Sequence, residues 1–432
     1  MDTRKNKKKY IFFIMIMCAV IGITACRSTK SETNGNSSKA PSITESTDDS
    51  ESLPDTEEED TVPDIVETNP TDPILSEEEA LNLELDEILQ EMTLEEKIYQ
   101  LFIITPEALT KYKTVTAAGE VTKKSLQDHP VGGLVYFSNN LINPAQPSKM
   151  LADTLHYSYE INGIPLFLCI DEEGGRVARI GKNTDFSVES VTAMANISSK
   201  EEAYKAGSTI GKYLLDLGFN FNFAPNADVL TNSKNNVIGD RSFGKNTQHV
   251  IDYATAVSDG LHSQNIMSTF KHFPGHGATE GDTHEGFAYT DKSYQELLKN
   301  ELQPFLAAKD AGVDAIMVSH ISVPQIVGDN TPCTLSKLMI TDILRDDLKF
   351  DGLVVTDALD MGAITKMYSP EEAAVMAIDA GVDLLLMPED FEKAFAGIVD
   401  AVENGDITEE RINESMKRII RAKLLIMKNS TN

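Results

Sequence analysis

From residue 77 onward, short runs of apolar and β-branched residues alternate with longer amphipathic stretches. Eight such runs stand out, at residues 100–105, 133–137, 166–171, 219–224, 267–272, 314–320, 352–357 and 382–387. They are continuously apolar rather than alternating, which is the pattern of strands buried on both faces of a parallel sheet with helices as crossovers. Eight strand-helix units predict an α/β fold, a (β/α)8 TIM-type barrel, with a doubly wound open sheet as the alternative. Ordered structure is expected to begin between residues 74 and 85. Thr93-Leu94-Glu95-Glu96 predicts a helix start in which Thr93 and Glu96 cap each other's amides.

Several of the apolar runs end on a polar residue: Asp171, Lys271 with His272, His320 and Asp357. In a barrel the C-terminal strand ends form one rim, so residues far apart in sequence converge there. Each alone reads equally as a structural hydrogen-bonding group; together on one rim they point to a site.

The amino terminus changes the picture of where this domain works. Arg4, Lys5, Lys7, Lys8 and Lys9 precede an apolar run over residues 10–25 that is short for a membrane span, the pattern of a secretory signal peptide. Ile23-Thr24-Ala25-Cys26 resembles the lipobox of bacterial lipoproteins, with Cys26 the lipidated residue; an ordinary cleaved signal or an uncleaved anchor is the alternative. The expected location is extracytoplasmic, lipid-anchored to the bacterial cell membrane. Residues 26–76 read as a disordered acidic linker, in which three basic and thirteen acidic residues between Arg27 and Ser76 leave a net charge of −10. The catalytic domain is then residues 77–432. The formal charge of −30 excludes nucleic acid as a partner, since like charges repel. Of the four cysteines only Cys169 and Cys333 fall in the folded part. Cys169 reads as a core residue, with pairing to Cys333 left open.

The densest chemistry lies at residues 271–284, Lys-His-Phe-Pro-Gly-His-Gly-Ala-Thr-Glu-Gly-Asp-Thr-His, a strand end running into a loop of titratable groups. Asp282 and His284 stand two apart, so the carboxylate can bond one imidazole nitrogen and leave the other to donate a proton. Gly275, Gly277 and Gly281 are expected to let this loop swing. A metal site from His272, His276, Asp282 and His284 is the rival reading, though the spacing matches no common ligand pattern. Asp357, at the end of a buried run, suits a nucleophile that attacks an electrophilic carbon; a helix N-cap is the other use, which Asp360 suits equally. In Asp171-Glu-Glu-Gly-Gly-Arg-Val-Ala-Arg179, Asp171 can accept hydroxyl hydrogen bonds from a sugar and Arg179 can reach the same ligand. Arg176 reads either as part of that site or as a structural partner of Glu173.

Taken together, Lys271–Gly277 with Asp282-Thr-His284, Asp171–Arg179, Phe223-Ala-Pro-Asn-Ala-Asp228 and Val355-Thr-Asp357-Ala-Leu-Asp-Met361 resemble glycoside hydrolase family 3, in its bacterial β-N-acetylglucosaminidase branch, over residues 92–428. The resemblance implies a TIM barrel and a retaining double displacement without metal or organic cofactor. It implies Asp357 as nucleophile, His284 as acid/base supported by Asp282, and Asp171, Arg179, Arg241, Lys271 and His272 as substrate-binding residues. The implied partners are N-acetylglucosamine-containing glycans or muropeptides, and the membrane through the lipid anchor. Three positions depart from the family pattern: Glu172 stands where Gln is frequent, Asn226 where an aliphatic residue is common, and Ala358 where a second Asp often follows the nucleophile. Alternatives are an N-acetyl-β-glucosaminide phosphorylase, a catalytically silent sugar-binding lipoprotein, and a metal-dependent hydrolase on the same barrel.

Overall fold

The computed structural model describes residues 76–279, 281, 283 and 288–431. The expected signal peptide, Cys26, the linker up to residue 75, Asp282 and His284 lie outside the described residues. Helix Glu77–Glu91 begins within the expected window. Helix Leu94–Gln100 carries the anticipated reciprocal cap: the Glu96 N–H donates to Thr93 Oγ1 at 3.2 Å and the Thr93 N–H to Glu96 Oε2 at 3.0 Å.

Each of the eight apolar runs forms a strand, the fifth extending one residue past its run: β1 Phe102–Ile104, β2 Gly133–Tyr136, β3 Phe167–Ile170, β4 Phe221–Asn222, β5 Thr269–Phe273, β6 Ala315–Val318, β7 Leu353–Thr356 and β8 Leu385–Leu386. Every residue in them is buried, as two-sided covering requires. All pairings are parallel, in one sheet of order β4-β3-β2-β1-β8 and another of order β5-β6-β7. Parallel bridges join the sheets at both seams, Phe221 to Met267 and Asn226 to Lys271 at one and Val355 to Leu384 at the other. The Asn222 N–H donates to the Met267 carbonyl at 2.9 Å, and the Thr356 N–H to the Leu384 carbonyl at 3.0 Å. Hydrogen bonds therefore pass from strand to strand in chain order and from β8 back to β1.

The helical layer is fitted closely to this core. Helices Lys200–Leu217 and Thr247–His262 cross where Gly207 meets Gly260, and a Cβ on Gly207 would lie 2.1 Å from the Val257 carbonyl oxygen. Cys169 and Cys333 are both buried and free, so the open question of a disulfide resolves to two core thiols.

Polar residues at the strand starts bind the opposite end of the molecule. Asp383, just before β8 and fully buried, accepts from Arg345 Nη2 at 2.6 Å, the Val354 N–H at 2.9 Å, Ser415 Oγ at 2.7 Å and Arg418 Nη1 at 3.1 Å. On helix Glu409–Thr431, Lys423 is also fully buried, donating to Gln100 Oε1 at 2.6 Å with its ammonium 5.0 Å over the Phe167 ring. Burial pushes that amine from 10.5 down to about 7. The folded state thus binds fewer protons than the unfolded chain between those values, so stability rises with pH there. Lys423→Met is expected to flatten this rise, which is up to about 1.4 kcal/mol per pH unit, and to be the more stable protein at pH 7. Urea titrations of both proteins from pH 7 to 10 check this, and equal slopes would disprove it.

Candidate active site

The candidate site lies at the C-terminal strand ends. β3 delivers Asp171, β5 delivers Lys271 and His272, β6 delivers His320 and β7 delivers Asp357. β5 is irregular at this point: its register shifts between Lys271 and Phe273, and the Lys271–His272 peptide is cis. Both consecutive side chains engage the site.

A chain of charge-assisted bonds unites these residues. Lys271 Nζ lies 2.9 Å from Asp171 Oδ1 and 2.6 Å from Glu173 Oε1. Glu173 receives Arg241 through two parallel bonds, Nε to Oε2 at 2.9 Å and Nη2 to Oε1 at 2.7 Å. Arg241 Nη2 also stands 3.2 Å from His272 Nε2, while His272 Nδ1 lies 2.7 Å from Asp228 Oδ2. A carboxylate only accepts, so His272 Nδ1 donates to Asp228. Asp228 is fully buried and takes further bonds from the His276 N–H at 2.6 Å and from Asn226 Nδ2 at 2.9 Å. Arg179 Nη2 stands 3.5 Å from Asp171 Oδ2.

Burial alone would raise the carboxyl of Glu173, but Arg241 and Lys271 outweigh it and hold the group well below its ordinary range. The same contest keeps Lys271 above its ordinary value, with Asp171 and Glu173 overcoming desolvation. For Asp357, desolvation is overcome by His320, His272, the Ala358 N–H and Lys271, so its carboxyl lies below the ordinary value and is ionised at neutral pH. The Ala358 N–H donates to Asp357 Oδ1 at 2.9 Å, and His320 Nε2 donates to the Ala358 carbonyl at 2.8 Å. His320 thus fixes the backbone immediately after Asp357. Burial, followed by the neighbouring His272, lowers His276, which packs its ring edge-on to His272 at 5.9 Å.

Two expectations are corrected. Arg176 does not pair with Glu173: its Nε meets Asp240 at 2.9 Å and its Nη2 donates to the Val237 carbonyl at 2.6 Å. The turn closed by the Glu173 N–H to the Val177 carbonyl sends the two side chains apart, Glu173 inward at 2% exposure and Arg176 outward at 42%. Gly275 and Gly277 serve close packing rather than swinging, since a Cβ would lie 2.6 Å from Glu301 Cβ at the first and 2.3 Å from the Val229 carbonyl oxygen at the second. Asn226, one of the departures from the family pattern, is fully buried and donates to Asp228. In the rival metal set, the ring nitrogens of His272 face Asp228 and Arg241, while Asp282 and His284 lie outside the described residues.

Sequence reasoning singled out Asp171, Lys271, His272 and Asp357 but missed Glu173 and Asp228 as the buried anions that hold the cluster. Glu173 was visible only as one acid in a charged run, and Asp228 only as the end of a quoted motif. Chemically, the rim offers a carboxylate acceptor at Asp171, cationic donors at Arg179 and Lys271, and an ionised carboxylate at Asp357. That set suits a polyhydroxylated ligand with an electrophilic carbon.

Residues 93–422 match the glycosyl hydrolase family 3 N terminal domain, and the chain belongs to that family. A beta-hexosaminidase A of Pseudoalteromonas piscicida is 33% identical over 332 residues, covering 70% of this chain and 55% of the relative. A beta-hexosaminidase of Haemophilus influenzae is 32% identical over 298 residues, 68% of this chain and 81% of the relative. Among solved structures, a family 3 beta-N-acetylglucosaminidase from a Paenibacillus species superposes with a TM-score of 0.73 at 36% identity, over 78% of this chain and 63% of that one. The chain thus spans between half and two thirds of the length of the Pseudoalteromonas and Paenibacillus proteins.

The Glu173 ion pairs generate a test. Their stabilisation is complete above the carboxyl's unfolded value of 4.5 and is lost as pH falls from there toward the folded value. Glu173→Gln is expected to cost about 3–5 kcal/mol at pH 7 by leaving buried cations underpaired, and to lose less than wild type on going from pH 5 to pH 3. Denaturant midpoints across that range decide it, and parallel curves would refute the assignment.

Proposed function

We propose that this protein is an exported, lipid-anchored glycosidase that removes terminal non-reducing β-linked N-acetylglucosamine from peptidoglycan fragments. In this reading the two parallel sheets and their bridged seams act as one closed (β/α)8 barrel. Asp171, Arg179, Arg241, Lys271 and His272 hold the sugar. Asp357 attacks the anomeric carbon while His284, oriented by Asp282, protonates the departing oxygen. His284 then takes a proton from water as that water releases the sugar from Asp357, so the configuration is retained. The observation that carries the reading is Asp357 itself: an ionised carboxylate at the end of a buried strand, with its backbone anchored and a rim of cations and carboxylates beside it. The names of the hexosaminidase relatives supply the substrate class.

An aryl N-acetyl-β-glucosaminide assay tests it, with and without phosphate and a chelator. Asp357→Asn is expected to lower kcat by about 10³-fold or more. His284→Ala should cost about 10²–10⁴-fold with poor leaving groups and much less with good ones. Wild-type turnover by Asp357→Asn would overturn the mechanism. A sugar phosphate product would make the protein a phosphorylase, loss of turnover with chelator would favour the metal-dependent alternative, and sugar binding without turnover would leave a binding lipoprotein.

A further inference from the structure

Glu172 and Glu173 send adjacent carboxylates to different places. Glu173 joins the ion-pair cluster, whereas Glu172 is fully buried beneath the following loop. Its Oε2 accepts from the backbone N–H groups of Arg179 at 2.5 Å and Ile180 at 3.0 Å. Its Oε1 accepts from the Gly181 N–H and the Tyr213 hydroxyl, both at 2.8 Å. Four neutral donors thus converge on one carboxylate and use its acceptor capacity. Burial, then Glu172, pushes the Tyr213 phenol up, which keeps that hydroxyl a donor. The fit at Gly181 is close, with a Cβ there 3.0 Å from Glu172 Oε1. Asn222, ending β4, pins the Glu172 backbone on both sides, accepting its N–H at 3.0 Å and donating to its carbonyl at 2.9 Å.

These bonds fix where Arg179 begins. Its guanidinium then lies 5.4 Å over the Phe137 ring and beside Asp171, and its Nε is buried without a hydrogen-bond partner among the described residues. The geometry points to Glu172 as the positioning residue for Arg179: by holding the backbone of residues 179–181 it sets the guanidinium beside Asp171 at the rim. This role rests on the proposed function, in which Asp171 and Arg179 hold the sugar. It also gives a use to the departure at position 172. A Gln of the same shape has one oxygen and one amide group, so at least one of the converging backbone N–H groups loses its acceptor. Sugar contact through Arg179 then weakens while the nucleophile on β7 is untouched.

The test uses the full chain as wild type, Glu172→Gln, Arg179→Ala and the double variant. Amide hydrogen exchange at residues 179–181 should quicken about tenfold or more in Glu172→Gln. With the aryl N-acetyl-β-glucosaminide, KM should rise about fivefold with kcat within about twofold of wild type, and Arg179→Ala should cost distinctly less in the Glu172→Gln background than alone. Unchanged exchange, or full multiplication of the two effects on KM, overturns the proposal. A wild type without turnover sinks the proposed function alone. The positioning role is then decided by exchange together with the rate at which phenylglyoxal modifies Arg179, mapped by mass spectrometry. Equal modification rates in wild type and Glu172→Gln reject it, and altered rates support it.

Discussion

A carboxylate shut away from water needs cations or converging hydrogen-bond donors from other elements to stay charged, and Glu173 is the carboxylate on which this site is assembled. Arg241 reaches it from the loop after β4 and Lys271 from β5. Neither cation is used up by the pairing. Lys271 goes on to Asp171 and Arg241 to His272, which passes the connection to Asp228. Segments separated by a hundred residues are thereby held in one geometry before any ligand arrives, and preorganised charge of this kind is what low-dielectric sites use to act on substrates.

The same chemistry has a different outcome at the other end of the strands. Asp383 is as buried as Asp228 and gathers Arg345, Arg418 and Ser415, yet its bonds are spent on tying strand starts to helices. Position along the strand separates the two clusters, since loops at the C-terminal ends can vary in length and contour while the strand starts are fixed by the fold. Side-chain type alone would not have told them apart.

That asymmetry explains what could be read in advance. The eight strands were legible because a continuous apolar run needs no partner to be recognised, and the Thr93–Glu96 cap because its bonds span three residues. Asp171, Lys271 and Asp357 were legible as polar endings to apolar runs. The partner of Glu173 was not, because Arg176 is three residues away and Arg241 is 68. Local spacing favoured the nearer arginine, and the turn at residues 173–177 reversed the choice. The glycines of the 271–284 segment misled for a related reason: the sequence displays their freedom, while the backbone crowding that uses their missing side chains comes from Glu301 and Val229.

The seams between the two sheets carry a further consequence. Asp171, Glu173 and Arg179 follow β3 of the five-stranded sheet, whereas Lys271 and His272 lie in β5 and Asp357 follows β7 of the three-stranded one. The residues proposed to hold the sugar are therefore divided between two arcs, with the proposed nucleophile on one of them; backbone bridges join the arcs at the seams, and the Lys271 ion pairs and the Arg241–His272 contact join them across the rim. A slippage of one arc against the other would alter the approach of the Asp357 oxygen to a held sugar, and displacements near 1 Å are enough to cost about 10²-fold in rate. The ion pairs act in this sense as a gauge block, setting the width of the gap in which the reaction is proposed to occur.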